Sequence, residues 1–326
     1  MNLREKSLFK AYGANPLSRR EYLDYAKKVL GERFIEDAHF DMTVLAVIRN
    51  DTRSVAVIKA KECGILAGLE EIKTFYSMHR VKTKSLKKDG ESVRKSEVIA
   101  EISGKESDLL KVERTGLNLL QRMSGIATAV NKLAEIAKPF KVKIVGTRKT
   151  LWNALDKRAI ALGGGLPHRY GLYDSILIKD NHLSAIAREK GRDLRFEVAI
   201  GRAVSWKGHR RPGFIEVEVS GKSQAIAAAK EFRKWSLTPE TRSKAWTGVP
   251  FIIMLDNMTP VEIKATVADL KKLGLFNHIL LEASGGITEK NLKYYASSGI
   301  DAISVGAITH SVIALDISQK IVDRKE

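Results

Sequence analysis

Apolar positions change their period along the chain, and the changes mark its elements. Residues 18–38 (SRREYLDYAKKVLGERFIEDA) gather Tyr22, Ala26, Val29 and Leu30 on one face at helical spacing. Residues 54–61 (SVAVIKAK) alternate like a half-buried strand, and residues 64–76 (GILAGLEEIKTFY) begin as a turn and become helical. Residues 87–104 place turn signals at Asp89-Gly90 and at Gly104 around another alternating run. These segments predict a small α+β layer. From Leu109 onward, Val112, Leu119, Met123, Ile126 and Val130 recur at helical intervals, and the same pattern predicts interruptions at Gly116 and Gly125.

Beyond Lys141 the pattern becomes short strand, then helix, and repeats. KIVG, SILI, IEVEV, FIIML, ILL and AISV, beginning at Lys143, Ser175, Ile215, Phe251, Ile279 and Ala302, are each followed by polar or glycine residues and then helical sequence. Successive βα units of this kind predict a parallel α/β barrel. In such sheets the carboxyl ends of the strands carry the ligand.

Residues 147–182 crowd those ends with cations. KIVG delivers Arg148 and Lys149, SILI delivers Lys179 and His182, and His168 and Arg169 lie between them. The intervening helix carries Trp152, Leu155, Ala159 and Leu162 at helical spacing and ends at three successive glycines, 163–165. A single basic residue after a strand is ordinarily solvated rim. Two clusters converging on one mouth point instead to a small ligand with several negative charges, because Arg forks match carboxylates and phosphates while Lys is a mobile point charge. Ser284-Gly285-Gly286 before one helix, and Gly306 with His310 at the next turn, are suited to a phosphate. Glu218 and Asp256 end strands and could reach the same mouth. They suit Mg²⁺ between carboxylates and substrate phosphates, or salt bridges to the neighbouring cations.

Composition narrows the class. The chain has 326 residues, 44% of them hydrophobic, and can bury a sizeable core. No secretory h-region or run of apolar residues long enough to span a bilayer is present, and one cysteine, Cys63, can form neither an internal disulfide nor a zinc cluster; a cytosolic protein without a membrane partner is expected. The net charge of +18 concentrates in residues 79–95 and 188–211. The first run has no Phe, Tyr or Trp and the second only Phe196 and Trp206, which does not suggest a base-stacking platform, so nucleic acid is not expected as a specific partner. A GxxxxGK loop, a strand-linked GxGxxG and a GxSxG elbow are all missing, which argues against a P-loop kinase, a dinucleotide oxidoreductase and an α/β-hydrolase.

TRKT, GGGLPHRYGLYDSILIKDNH, IEVEV, MLDNM, LEASGGI and VGAITHS occur in the order seen in the quinolinate phosphoribosyltransferase family, which the chain resembles over nearly its whole length. The resemblance implies an N-terminal α/β sandwich over residues 1–117, with residues 312–326 packing on it, and an incomplete α/β barrel over residues 118–311. It implies a homodimer with shared active sites. The implied reaction joins quinolinate to phosphoribosyl pyrophosphate with Mg²⁺, giving nicotinate mononucleotide, pyrophosphate and CO₂ for NAD biosynthesis. By motif position, Arg148, His168, Arg169 and Lys179 would hold the dicarboxylate, with Arg114 supplied by a partner subunit. Lys149 would lie between the substrates. Glu218 and Asp256 would serve the ribose hydroxyls and the metal, and Ser284, Gly285, Gly286, Gly306 and His310 would line the phosphate end. Trp152-Asn153, Pro167 and Phe40 depart from the family's usual residues. Alternative expectations are a nicotinate-specific relative of the same fold and a non-catalytic RNA- or protein-binding relative.

Overall fold

The structure, a computed structural model, describes residues 2–38, 40–191, 193–206, 208, 211–236 and 248–322. Its contacts divide the chain into two units that interleave in sequence. One comprises Leu17–Lys132, Thr150–Gly164 and Ile308–Glu326; the other comprises Met1–Pro16, Leu133–Lys149 and Gly165–Ala307. The expected division, residues 1–117 with 312–326 against 118–311, puts the first helix, α1 (Leu3–Tyr12), in the first unit, whereas its contacts place it in the second.

The first unit contains α2 (Arg19–Ala38), α3 (Met42–Val47), β1 (Arg53–Ala60), β2 (Gly64–Ile65), α4 (Leu69–Met78), β3 (Lys82–Ser85), β4 (Ser92–Val93) and β5 (Val98–Lys105). Strands β1, β5 and β3 join the C-terminal strand Ile317–Val322 in an antiparallel sheet, with β1 between β5 and the C-terminal strand. Alternation places Ala56, Ile58 and Ala60 of β1 in the core. The Asp89-Gly90 turn also starts α4. The Asp89 carboxylate accepts hydrogen bonds from the N–H groups of Leu69 and Glu70, at 2.9 and 3.1 Å. Those two donors lack helical partners of their own.

The long helix α5 (Glu106–Ala137) corrects the sequence reading, because it runs without a break through Gly116 and Gly125. Both glycines are there for close approach. A Cβ at Gly116 would lie 2.3 Å from Tyr76 Oη, and one at Gly125 would lie 2.1 Å from the Ile313 carbonyl oxygen. Helix α6 (Asn153–Leu162) follows Trp152, whose ring sits under the Arg122 guanidinium at 5.5 Å. Arg122 in turn forks onto Asp156, at 3.0 and 2.7 Å.

The second unit is the parallel α/β unit. Strands β6 (Lys143–Val145), β7 (Ile176–Ile178), β8 (Ile215–Val219), β9 (Phe251–Asp256), β10 (Leu280–Ser284) and β11 (Ala302–Ser304) form one sheet in the order β6, β11, β10, β9, β8, β7. Leu166 extends the β6 edge through a parallel bridge to Val145. Helices α7 (Asp180–Lys190), α8 (Arg195–Val204) and α9 (Lys222–Ser236) follow the strands as the βα pattern requires, with further helices at Pro260–Lys272 and Glu289–Ala296. Much of the basic stretch 188–211 is the α7–α8 pair, where Arg202 forks onto Glu189 at 2.7 and 2.9 Å. Residues 192, 207, 209 and 210 of that stretch, and 237–247 of the polar stretch 230–248, lie outside the described residues.

Helix α1 was not predicted. It starts on Asn2, whose side chain accepts from the Glu5 N–H at 2.9 Å. Its buried residues Leu8, Ala11 and Tyr12 join Val145, Leu166, Phe214, Ile252, Leu280 and Ala302 in one apolar cluster. Ile252, Leu280 and Ala302 of that cluster lie toward the amino ends of β9, β10 and β11, whereas Val145 ends β6.

Candidate active site

Side-chain alternation turns the strands of the second unit into layers. Above apolar Phe214, Ile252 and Leu280 come Glu216, Met254 and Glu282 two residues on, and then Glu218, Asp256 and Ser284 at the carboxyl ends. The sequence analysis identified the last layer and missed the acidic one beneath it.

At the carboxyl ends, Lys179 immediately follows β7, and its Nζ donates to Glu218 Oε2 at 2.7 Å. Its backbone N–H donates to His182 Nδ1 at 2.9 Å, which anchors the start of α7. Asp256 accepts from Asn257 Nδ2 at 2.7 Å, and the Asn257 N–H donates to the Ser284 carbonyl at 2.9 Å. That link explains the glycine at 285. Its φ is +95°, and a Cβ there would meet Asn257 Oδ1 at 2.2 Å. Gly286 is also left-handed at φ +60°, and the helix that follows is capped by Thr288 and Asn291.

One layer down, His168 is buried and held at φ +62°. Its Nδ1 accepts the Arg169 N–H at 2.7 Å, so Nε2 carries the ring's proton. Nε2 lies 3.2 Å from Glu216 Oε2 and 3.6 Å from Glu282 Oε2. Tyr12 completes the group: its hydroxyl donates to Glu216 Oε1 at 3.0 Å, and its ring stacks on His168 with centroids 4.4 Å apart. Burial pushes the Glu216 carboxyl up to about 8 against the pull of Tyr12 and Arg169. Burial, then the charge of Glu216, pushes Glu282 up to about 7.

Arg169 is buried, and its pKa is lowered by that burial and by the neighbouring Arg148 guanidinium. Glu216 feels Arg169, Glu218 and Lys179 together. Lys179 and Glu218 pair at the carboxyl ends of β7 and β8, while the Arg169 guanidinium approaches the carbonyl of Ser175, the residue before β7. Arg148 and Lys149 are solvent-exposed. A cavity of about 250 Å³ opens beside His168 and Arg169, lined by Ala11, Ala14 and Pro16 and by Asp174, Ser175 and Gly213, which precede β7 and β8, so it lies toward the amino ends of those strands. Gly306 follows β11, while Arg114, exposed on α5, and His310, 2.7 Å from the Ser311 hydroxyl, belong to the first unit.

Two groups of acids could attract a cation. His168, Glu216 and Glu282 offer ligand atoms within 4.8 Å of one another. The protonated Nε2 argues against a metal there, since ligation would require an imidazolate. Glu218 and Asp256 fit better, with carboxylate oxygens at the ends of adjacent strands, the donor type Mg²⁺ takes beside substrate phosphates.

The family model for the quinolinate phosphoribosyl transferase N-terminal domain matches residues 41–124, and that for its C-terminal domain matches residues 126–320. A probable nicotinate-nucleotide pyrophosphorylase [carboxylating] of Methanocaldococcus jannaschii is 37% identical over 306 residues, covering 92% of this chain and 98% of the relative. A Bacillus subtilis protein of the same name is 37% identical over 302 residues, covering 90% and 93%. The solved nicotinate-nucleotide pyrophosphorylase of Francisella tularensis superposes with a TM-score of 0.75 at 28% identity, covering 92% of this chain and 97% of that one. With both domain models matched in order across residues 41–320, the chain belongs to the quinolinate phosphoribosyl transferase family.

Proposed function

We propose that the protein transfers the phosphoribosyl group of phosphoribosyl pyrophosphate to quinolinate, with loss of CO₂, giving nicotinate mononucleotide and pyrophosphate. The observation that carries this reading is the pair of Lys179 and Glu218, 2.7 Å apart at the carboxyl ends of adjacent strands, with the exposed Arg148 and Lys149 following β6 in the same sheet. Several cations at one site match a ring with two carboxylates and a diphosphate better than a ligand with a single carboxylate.

In this reading, Arg148, His168, Arg169 and Lys179 bind and orient the dicarboxylate so that its ring nitrogen faces the ribose carbon, which is catalysis chiefly by positioning. The nitrogen's lone pair forms the new C–N bond as the bond to pyrophosphate breaks. Lys149 stabilises charge between the two substrates. Loss of CO₂ from the carbon beside the nitrogen then leaves an electron pair that takes up a proton, and the cations steady that carbanion. Glu218 and Asp256 would hold Mg²⁺, which when bound neutralises charge on the leaving diphosphate. Ser284, Gly285, Gly286 and Gly306 serve the phosphate end. A homodimer in which Arg114 of one subunit reaches the other's dicarboxylate completes the proposal.

The test is an assay of the purified chain with phosphoribosyl pyrophosphate and either quinolinate or nicotinate, with and without Mg²⁺. Nicotinate mononucleotide and CO₂ formed from quinolinate alone are expected; equal turnover of nicotinate would overturn the dicarboxylate assignment. Among the described residues no helix is long and apolar enough to cross a membrane.

A further inference from the structure

Helix α1 lies N-terminal to the stretch matched by either family model, yet its last residue touches the candidate site in three ways. The Tyr12 carbonyl accepts the His168 backbone N–H at 3.1 Å. The Tyr12 ring lies nearly parallel to the imidazole, at 20°, while Phe214 closes the edge at 5.2 Å. The Tyr12 hydroxyl donates to Glu216, the carboxylate that lies 3.2 Å from His168 Nε2. Backbone, ring face and acidic partner of His168 are thus all set by one side chain or by a group bonded to it.

That convergence answers a specific mechanical need. His168 sits at φ +62°, a conformation that β-carbon crowding disfavours, so neighbouring contacts must hold it. Arg169 depends on the same backbone, because its N–H is tied to the His168 ring at 2.7 Å and its guanidinium approaches the Ser175 carbonyl at 3.5 Å. A ring free to rotate would release the Arg169 N–H and let the guanidinium drift.

We propose that Tyr12 is a positioning residue for the dicarboxylate: by clamping the His168 ring from below and orienting Glu216 against it, Tyr12 sets the angle at which His168 and Arg169 present their charges. This rests on the functional reading above, in which that pair binds quinolinate. Tyr12 touches no substrate and acts through His168. Residues 284–286 at the phosphate end take their geometry from Asn257, whose N–H donates to the Ser284 carbonyl.

The test compares Tyr12→Phe and Tyr12→Leu with the unaltered full chain, measuring quinolinate and phosphoribosyl pyrophosphate affinities separately by calorimetry, with KM and kcat for each and a melting curve. Tyr12→Phe keeps the stack and loses one hydrogen bond to a buried carboxyl, and should weaken quinolinate about three- to tenfold. Tyr12→Leu loses the stack as well and should weaken it further, by about tenfold or more. Phosphoribosyl pyrophosphate affinity should stay within about twofold of the unaltered chain for both, since none of its proposed contacts changes. Equal weakening of both substrates, or a fall in kcat and melting temperature alone, would show a merely structural residue and overturn the proposal. If Tyr12→Leu does not fold, Tyr12→Phe decides by the same criterion. Failure of the unaltered chain to bind quinolinate would overturn the functional reading and this inference with it; normal binding that both variants retain overturns the inference alone.

Discussion

Lys179 Nζ and Glu218 Oε2 lie 2.7 Å apart at the carboxyl ends of adjacent strands, so the cation assigned to the substrate and the acid assigned to the ribose or metal are partners before either binds anything. Substrate binding has to divide that pair. Lys179→Met should lower kcat/KM for quinolinate by about 10- to 100-fold, the worth of a charged hydrogen bond. Glu218→Gln should instead depress kcat and the response to Mg²⁺, with quinolinate affinity held or improved as the lysine is released. Titrating Mg²⁺ into both variants in the mononucleotide assay checks the split, and identical defects would contradict the division of labour.

Arg169 makes a sharper case because it is 8% exposed and already pressed by Arg148. A buried guanidinium near another cation is tolerated when an anion answers it. Arg169→Ala should abolish measurable quinolinate binding while phosphoribosyl pyrophosphate still binds within a few-fold of normal, as read by calorimetry. Equal loss of both ligands would contradict the assignment of Arg169 to the dicarboxylate.

Much of this site was legible in the chain because strand periodicity is local. SILI followed by KDNH, and IEVEV with its acid near the end, placed Lys179 and Glu218 correctly at strand ends. The same period of two should have exposed Glu216, which shares a face with Glu218, and Glu282, which precedes Ser284 in the same way. Tyr12 could not be found so. Helix α1 offers a single buried turn, Leu8, Ala11 and Tyr12, among Arg4, Glu5, Lys6 and Lys10, and what it packs on lies more than a hundred residues away. The continuity of α5 was hidden for a related reason: the glycines that look like breaks answer contacts with Tyr76 and Ile313, which no local pattern reports.

The acidic layer carries a pH dependence whose sign follows from burial. Glu216 and Glu282 have folded values of about 8 and about 7 against an ordinary 4.5. Between 4.5 and those values the folded chain keeps protons that the unfolded chain has released, so stability falls as pH rises across that window. The fall ends first for Glu282, then for Glu216. Melting temperature measured from pH 5 to 9 should therefore decline and then level off. Glu216→Gln and Glu282→Gln should each flatten the decline, since an amide does not titrate. A melting temperature that climbs from pH 5 to 8 would mean the two acids are ionised in the fold.

Two glycines in helices separate close approach from simple flexibility. Gly31 lies within α2, and a Cβ built there meets nothing within 4 Å. Gly31→Ala should stabilise the chain by about 0.5–1 kcal/mol through the lower entropy of the unfolded state and better helix propensity. Gly125 lies within α5, where the same methyl group would meet the Ile313 carbonyl at 2.1 Å and the Ala314 Cα at 3.0 Å. These are backbone atoms, which cannot swing aside as a side chain can. The segment carrying them also donates the Leu315 N–H to the Gln121 carbonyl of α5 at 3.0 Å, and Gln121 Nε2 donates to the Ile317 carbonyl at 2.7 Å. Displacing it would loosen the strand Ile317–Val322 from its place beside β1. Gly125→Ala should cost about 1–3 kcal/mol, the usual range for overpacking, despite the same gain in helix propensity. Opposite shifts in urea midpoint for the two variants are expected, and shifts of the same sign would mean that α5 does not pack as described.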